Sequence, residues 1–306
     1  MFRVRSVDSI GDFLLPDDTG DFGAFVDLAV AEGETNLDWC FVIEDRDHPV
    51  GRLGFTLEPS TSDPDWLGTL PPTELHPFGL QWTGQPEVLE TLLREALPRL
   101  SGLGPEHVEF RVNRRSTPHH AEAVGVLETI GAPLFQEKAG FEFEADPAAA
   151  YPARLAWSTV EDIGVDRFAE VMACCGTGTL DRNDRYYWSH CGPENWARQM
   201  MEYLDPDDAR MWLIGLRDET PVGYVFVTTD PVLVSTIGHI GVVPEWRGNG
   251  YVHDLLAAAA ASIAQHDIPF MLSDVDVRNR PMIDAMRNAG HRDSEWHIWH
   301  FRPTLG

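Results

Sequence analysis

Polar and apolar residues alternate with period two over Cys40–Glu44 and again over Val50–Leu57, on either side of Asp45-Arg46-Asp47-His48-Pro49; this predicts a β-hairpin. Apolar residues at Val88, Leu89, Leu92, Leu93, Ala96 and Leu97 fall on one face at helical spacing, which predicts a helix over Pro86–Leu100. The same reading places strands at Phe2–Val7, Gly79–Trp82 and Val108–Val112, and helices at Phe22–Glu32 and His119–Ile130. A further helix is expected from Pro133, where proline suits a first turn, to Gly140, before extended Phe141–Phe143. Beyond Arg154 the order starts again. Strand Arg154–Trp157, helix Val165–Cys174, a long loop Gly176–Pro193 and a helix Glu194–Tyr203 come first. A hairpin of Met211–Leu216 and Val222–Thr228 follows, then strand Thr236–Val243, helix Gly250–Gln265, strand Pro269–Val277, helix Asn279–Asn288 and strand Glu295–Phe301.

One element order thus occurs twice, and local echoes accompany it. Pro49-Val50-Gly51 and Pro221-Val222-Gly223 open the second hairpin strands, while Lys138-Ala139-Gly140-Phe141 and Asn288-Ala289-Gly290-His291 close the two halves' later helices. The agreement of echoes and order implies an internal duplication. Asp146–Pro152 lies between prolines and holds no apolar period, so it reads as a linker joining residues 1–148 to 153–306. The expected fold class is mixed α/β (α+β): two tandem domains, each a mixed central sheet flanked by helices.

Composition narrows the partners. The 306 residues carry 49 acidic against 23 basic side chains, a formal net charge of −26. Grip on nucleic acid or anionic lipid runs on Lys and Arg neutralising phosphates, so neither partner is expected. Acid excess keeps a surface solvated and tolerates a cationic small molecule. The longest apolar stretch, Leu255–Ile263, is too short to span a membrane, and no apolar leader opens the chain. Four cysteines form no C-x-x-C pair, so neither a metal site nor a disulfide framework is expected, and the chain reads as cytoplasmic.

The densest chemical signal is Gly238–Val252. A strand feeds the turn Arg247-Gly248-Asn249-Gly250, and the turn feeds a helix beginning near Tyr251 and Val252. Free amides and the positive end of a helix dipole make such a turn a cradle for phosphate, and glycines let an anion approach the backbone. For the glycines alone, a tight strand-to-helix turn with no ligand is the better account. Gly-Lys-Ser/Thr and the three-glycine dinucleotide pattern are both absent.

Val242-Val243-Pro244-Glu245-Trp246-Arg247-Gly248-Asn249-Gly250 resembles the V-x-P-E-x-R-G-x-G signature of the GNAT superfamily of acyl-CoA-dependent N-acetyltransferases. Val275-x-x-x-Asn279 and Gly290-His291 resemble its second motif, in the right order. The resemblance covers residues 153–302. It departs at Val252, where Gly or Ala is usual, and at Met286, where many members carry a tyrosine acid. It implies acetyl-CoA as co-substrate, with no metal. Backbone groups of Ile240 and Val242 would hold the pantetheine arm, Arg247, Gly248, Asn249, Gly250, Tyr251 and Val252 the pyrophosphate, and Asn279 the CoA arm. The implied reaction is direct attack of a small-molecule primary amine, such as an amino sugar, an amino-acid-derived metabolite or an antibiotic. The amine needs a base. His239 lies on the strand before the turn, but period two sends it to the opposite face unless a bulge intervenes. Asp274 and Asp276 share a face of the next strand. His239 and Asp274 are the candidates for catalysis. In such folds the first helices border the acceptor, which makes Asp184, Tyr187, Trp188 and Glu194 candidate acceptor residues, acids and aromatics that suit an amine. The first half keeps only an outline. Gly79–Pro86 lacks the arginine and second glycine, so the half is expected to be degenerate, supporting the other domain or shaping its cleft. A non-catalytic acyl-CoA-binding or regulatory protein is the alternative.

Overall fold

The computed structural model describes residues 2–15, 20–57, 75–101, 107–202, 204–229 and 234–305. Tyr203, the expected end of one helix, lies outside them. The chain forms two compact units, Met1–Glu137 with Ile298–Gly306, and Lys138–His297.

In the first unit, β1 (Phe2–Ser6), α1 (Ile10–Phe13) and α2 (Gly20–Ala31) precede the expected hairpin of β2 (Cys40–Asp45) and β3 (His48–Leu57). Arg46 and Asp47 turn the chain with φ of 50° and 65°, the double left-handed geometry that fits a two-residue hairpin turn. With β4 (Leu75–Trp82) these strands make an antiparallel sheet in the order β1-β2-β3-β4. α3 (Pro86–Ala96) buries Val88, Leu89, Leu92, Leu93 and Ala96, the stripe its sequence predicts, and Pro86 sits in its first turn. β5 (Phe110–Asn113) and α4 (His120–Thr129) follow.

The helix expected from Pro133 to Gly140 is a strand, β6 (Leu134–Glu144). Helix propensity is a weak prior that sheet pairing overrides. From Lys138 onward β6 forms an antiparallel ladder with β11 (Phe270–Asp276), in register from Lys138↔Asp276 to Glu144↔Phe270. Gly140 is needed there because a Cβ would lie 1.8 Å from the Trp296 carbonyl oxygen.

The second unit holds this part of β6 and β7 (Ala156–Thr159), α5 (Val160–Ile163) and α6 (Val165–Gly176). The segment expected to be a loop before Pro193 is largely helical, as α7 (Arg182–Cys191). Its residues show no apolar stripe, so capping carries the helix: the Asp181 carboxylate accepts from the amides of Asn183 and Asp184. Gly192, at φ 82°, ends α7 and begins α8 (Pro193–Met201). The hairpin of β8 (Trp212–Arg217) and β9 (Thr220–Thr229) leads to β10 (Val234–Val242), α9 (Tyr251–Gln265), β11, α10 (Arg280–Asn288) and β12 (Arg292–Asp293). Strands β7, β8, β9 and β10 are antiparallel neighbours. One apolar cluster packs α9 and α10 on the sheet through residues such as Leu255, Ala259, Val225 and Met286, and a second packs α6 and α8 through Phe168, Met172 and Trp196. The closing strand β13 (Ile298–Phe301) pairs with β5 and completes the first unit. Among the described residues, no helix is long and apolar enough to cross a membrane.

Candidate functional site

The site begins where two parallel strands part. β10 pairs with β11 only over Val234–Thr236 and Phe270–Leu272. Beyond that, β10 continues to Val242 on β9 alone and β11 continues to Asp276 on β6 alone. Val243 N–H donates to the Val222 carbonyl of β9 at 2.9 Å. Alternation along an antiparallel strand then turns the backbone groups of Ile240 and Val242 away from β9, into the gap. The Val242 carbonyl accepts from Arg247 Nε at 3.0 Å.

The turn at the end of this gap is exposed and open. Gly248 and Gly250 have φ of 77° and 78°, a region that side-chain-bearing residues enter at a cost. Gly250 caps α9 with no side chain over the helix start, so the first amides of α9 point outward with no intrahelical partner. Asn249 curls back, its Nδ2 donating to the Trp246 and Arg247 carbonyls. Arg247 braces the turn, because its guanidinium donates to the carbonyls of Val242 and Cys175, the latter at 2.7 Å. Its own amide goes to Pro244 O. Arg154, ion-paired with Asp254 at 3.0 Å, and Arg217 also stand at the turn. Arg154 lies 4.0 Å from the centre of the buried Tyr251 ring and donates to Asn249 O, and Arg217 donates to the Tyr251 hydroxyl at 2.8 Å. Val252 turns its side chain to the apolar cluster under α9. Asn279 caps α10, accepting from Met282 N.

The direction of His239 depends on a bulge. The β9–β10 register slips between Ile237 and His239, which leaves Gly238 as the extra residue. A Cβ on Gly238 would lie 2.0 Å from the Phe226 ring, so only glycine fits there. The slip reverses the face, and His239 meets two helical partners and one on β9. Its Nε2 is 3.1 Å from Asp184 Oδ2, its Nδ1 is 2.6 Å from the Tyr224 hydroxyl, and its ring meets Trp196 edge-on at 5.1 Å. Burial pushes the imidazole pKa down, but the charge and hydrogen bond of Asp184, with the charge of Asp181, outweigh it and raise it above its ordinary 6.5. Burial and the neighbouring Asp184 raise the Asp181 carboxyl as well. Burial also lifts the Tyr224 phenol well above 10. Asp184 is further held by Thr179 Oγ1 at 3.3 Å.

Asp274 forms an ion pair with Lys138 Nζ at 2.6 Å. Burial opposes the charge of this lysine, yet Asp274, Asp181 and Asp184 together keep its pKa high. Asp276 is buried and accepts from the amides of Arg182 and Arg278. The structure therefore joins His239 to Asp184 and joins Asp274 to Lys138. Trp188 packs on Gly176 and edge-on against Trp196, one ring removed from His239. Tyr187 packs into the α6–α8 cluster, and Glu194 is exposed at the start of α8. Met286 lies in the core beneath α10. Sequence reasoning missed Tyr224, Arg154, Arg217 and Lys138. Only the bulge-forming Gly238 gave a local signal. Among the described residues, no group of three or more His, Cys, Asp or Glu is placed to hold a metal.

Residues 181–291 match the family model described as acetyltransferase (GNAT) family. Among curated proteins none matches the chain. Among solved structures, a GCN5-related N-acetyltransferase from Sphaerobacter thermophilus is similar at 15% identity and a TM-score of 0.61, over 99% of this chain and 96% of that one. A tandem GNAT protein from the clavulanic acid biosynthesis pathway is similar at 16% identity and a TM-score of 0.56, over 100% and 99%. An acetyltransferase from the GNAT family from Colwellia psychrerythraea is similar at 10% identity and a TM-score of 0.52, over 98% and 99%. At such identities these likenesses show the fold.

Proposed function

We propose that the second unit, whose residues 181–291 match the acetyltransferase (GNAT) family model, transfers an acetyl group from acetyl-CoA to a primary amine of a small molecule. The observation that carries this reading is the gap between β10 and β11, which ends on the exposed glycine turn of α9. The gap offers the backbone groups of Ile240 and Val242 to an extended amide-bearing arm, as an edge strand offers them to a peptide. The turn offers Gly248, Asn249, Gly250, Tyr251 and Val252 amides, with Arg154 and Arg217 beside them, to a diphosphate. Asn279 sits at the start of α10 to hydrogen-bond the arm. Acetyl-CoA fits this donor set, and it would supply the thioester that the amine attacks.

The chain's own part is to place and deprotonate the amine. Asp184 attracts the ammonium form, and Trp196 gives it an aromatic wall. The Tyr224 hydroxyl gives its proton to His239 Nδ1 as it takes the one that the amine loses, because Asp184 already occupies Nε2. Asp184 orients the ring and stabilises the imidazolium, while the Tyr224 hydroxyl holds the other nitrogen. An amide in the gap near Val242 polarises the thioester carbonyl. Asp274 keeps Lys138 paired and would take a proton only if that pair opened. The leaving thiolate is protonated by solvent, because Met286 has no proton to give.

Titration calorimetry with acetyl-CoA, followed by thiol release over a panel of amines, tests the reading. One-site binding with release on a small-molecule amine is the expected result. Binding without release on any amine would favour the non-catalytic acyl-CoA-binding alternative, and no binding would refute the cofactor assignment.

A further inference from the structure

α7 is bonded to both banks of the gap between β10 and β11. On the β10 side, Asp184 Oδ2 lies 3.1 Å from His239 Nε2. On the β11 side, the Arg182 amide donates to Asp276 Oδ2 at 3.0 Å, across 94 positions of sequence. Both contacts lie where the strands have already parted, past Thr236 and Leu272. Asp276 is buried and stands opposite Lys138 in the β6–β11 ladder. Its second oxygen, Oδ1, accepts from Arg278 N at 2.8 Å. Its carbonyl accepts from Asn279 N, also at 2.8 Å, which closes the turn into α10.

Apolar packing does not place the first turn of α7, because Arg182, Asn183, Asp184 and Arg185 are all polar. The cap is internal to the helix: Asp181 Oδ1 accepts from the Asn183 and Asp184 amides. Those bonds shape the turn without fixing it to the sheet. The Arg182 amide, at the positive end of the helix dipole, reaches out to the Asp276 carboxylate instead. Asp184 follows two residues later, so the anchored amide and the carboxylate that orients His239 share one turn. A shift of that turn by about 1 Å carries the Asp184–His239 contact past hydrogen-bond reach, and misplacement on this scale costs up to about a hundredfold in rate.

We infer that Asp276 is a positioning residue for the proton transfer: through the Arg182 amide it holds α7 against β11 and so keeps Asp184 on His239. The inference rests on the reading that His239 receives the proton. Asp276 acts through Asp184 and not on the amine.

The test deletes one amide hydrogen from the full chain. Arg182 is the first residue of α7, a position that suits proline. Asp181 before it already has the extended backbone that a following proline requires, at φ −71° and ψ 131°. Arg182→Pro therefore removes the donor to Asp276 and leaves the Arg278 bond in place. Arg182→Ala loses the same side chain and keeps the amide, so it is the reference. The charged and titratable groups around His239 are Asp181 and Asp184 at the start of α7, Tyr224 of β9 and Lys138 of β6, and neither substitution alters them. Titrated by NMR, the His239 ring should have a pKa lower by about half a unit or more in Arg182→Pro than in Arg182→Ala, because Asp184 no longer raises it in full. kcat should be lower by about tenfold or more, with acetyl-CoA affinity by calorimetry within about twofold. In Asp276→Asn the amide oxygen keeps the local bond from Arg278, and the NH2 group confronts the Arg182 N–H. The downfield resonance of the His239 Nε2 proton, which reports the contact with Asp184, should then leave its position, and it decides if Arg182→Pro fails to fold. Equal His239 pKa values in folded Arg182→Pro and Arg182→Ala, an unmoved Nε2 resonance in Asp276→Asn, or a loss of acetyl-CoA affinity as large as the loss of kcat overturns the inference. A shifted titration in a chain that releases thiol on no amine supports the tie of α7 to β11 and counts against the transfer reading alone.

Discussion

Asp184→Asn removes the charge that holds the His239 imidazolium while keeping the shape of the side chain. Two opposed influences act on that ring: burial lowers its pKa and the Asp184 carboxylate, 3.1 Å from Nε2, raises it. Both side chains are mostly covered, at 22% and 11% exposure, so solvent screens the pair only in part. An opposite charge at this range typically shifts a pKa by about 1–3 pH units, each worth about 1.4 kcal/mol. Removing it leaves burial, and the histidine pKa should fall below 6.5. A base must be unprotonated to act, so the rising limb of the pH–rate profile for amine acetylation should move at least about one unit toward acid. Stability gives an independent check. A histidine whose pKa is raised by folding stabilises the fold fully below its unfolded value of about 6.5, and this is lost as pH rises through the folded value. The Tm gap between wild type and Asp184→Asn should therefore be widest in acid and narrow above neutrality. NMR titration of the His239 ring reads the pKa directly. A pKa unchanged or raised in Asp184→Asn would refute the pairing and, with it, the proposed base.

Gly250→Val places a β-branched residue at φ 78° on the exposed turn, which costs about 1–2 kcal/mol locally; acetyl-CoA affinity by calorimetry should fall more than tenfold, with a near-native Tm. Gly238→Ala drives a Cβ into the Phe226 ring, so the bulge must shift at a cost of about 1–3 kcal/mol; chemical denaturation should show that loss, and kcat should fall more than KM rises. Glu109→Gln leaves Arg302 buried against a neutral amide, at a cost of about 3–5 kcal/mol. Although burial alone would raise it, His300, Arg111 and Arg302 hold the Glu109 carboxyl well below the usual 4.5. Its contribution is present above 4.5 and lost as pH falls, so the gap in denaturation midpoint should shrink in acid.

The hairpins, the β10–turn–α9 passage and the amphipathic α3 were legible in the sequence because local periodicity and turn residues specify them. β6 was not, since Leu134–Gly140 has ordinary helical composition and becomes a strand by pairing with β11, more than a hundred residues away. α7 was hidden because Arg182–Cys191 shows no apolar period. Its one local mark was Asp181, the capping carboxylate. The turn of the candidate site lay in contiguous residues and could be read. The His239 cluster could not, because it gathers residues from α7, α8, β9 and β10, and because one bulge residue reverses the face that alternation assigns.

Four carboxylates lie on the segments around this site, and the structure gives each a different task. Asp181 caps α7, Asp276 binds the amides of Arg182 and Arg278, Asp274 holds Lys138, and Asp184 meets His239. Only in the last does a carboxylate face a group that exchanges a proton near neutrality. Lys138, the single lysine of the chain, is positioned by the strand that replaced an expected helix. Its charge lowers the pKa of His239, in opposition to Asp184 and Asp181. Lys138→Met should therefore raise the histidine pKa and move the rising limb of the pH–rate profile toward alkaline pH, opposite in sign to Asp184→Asn. It should do so with acetyl-CoA affinity unchanged, since the diphosphate turn stands on β10 and α9. If both substitutions moved the limb the same way, the field at His239 would not control the proton transfer, and the base would have to be sought on another group.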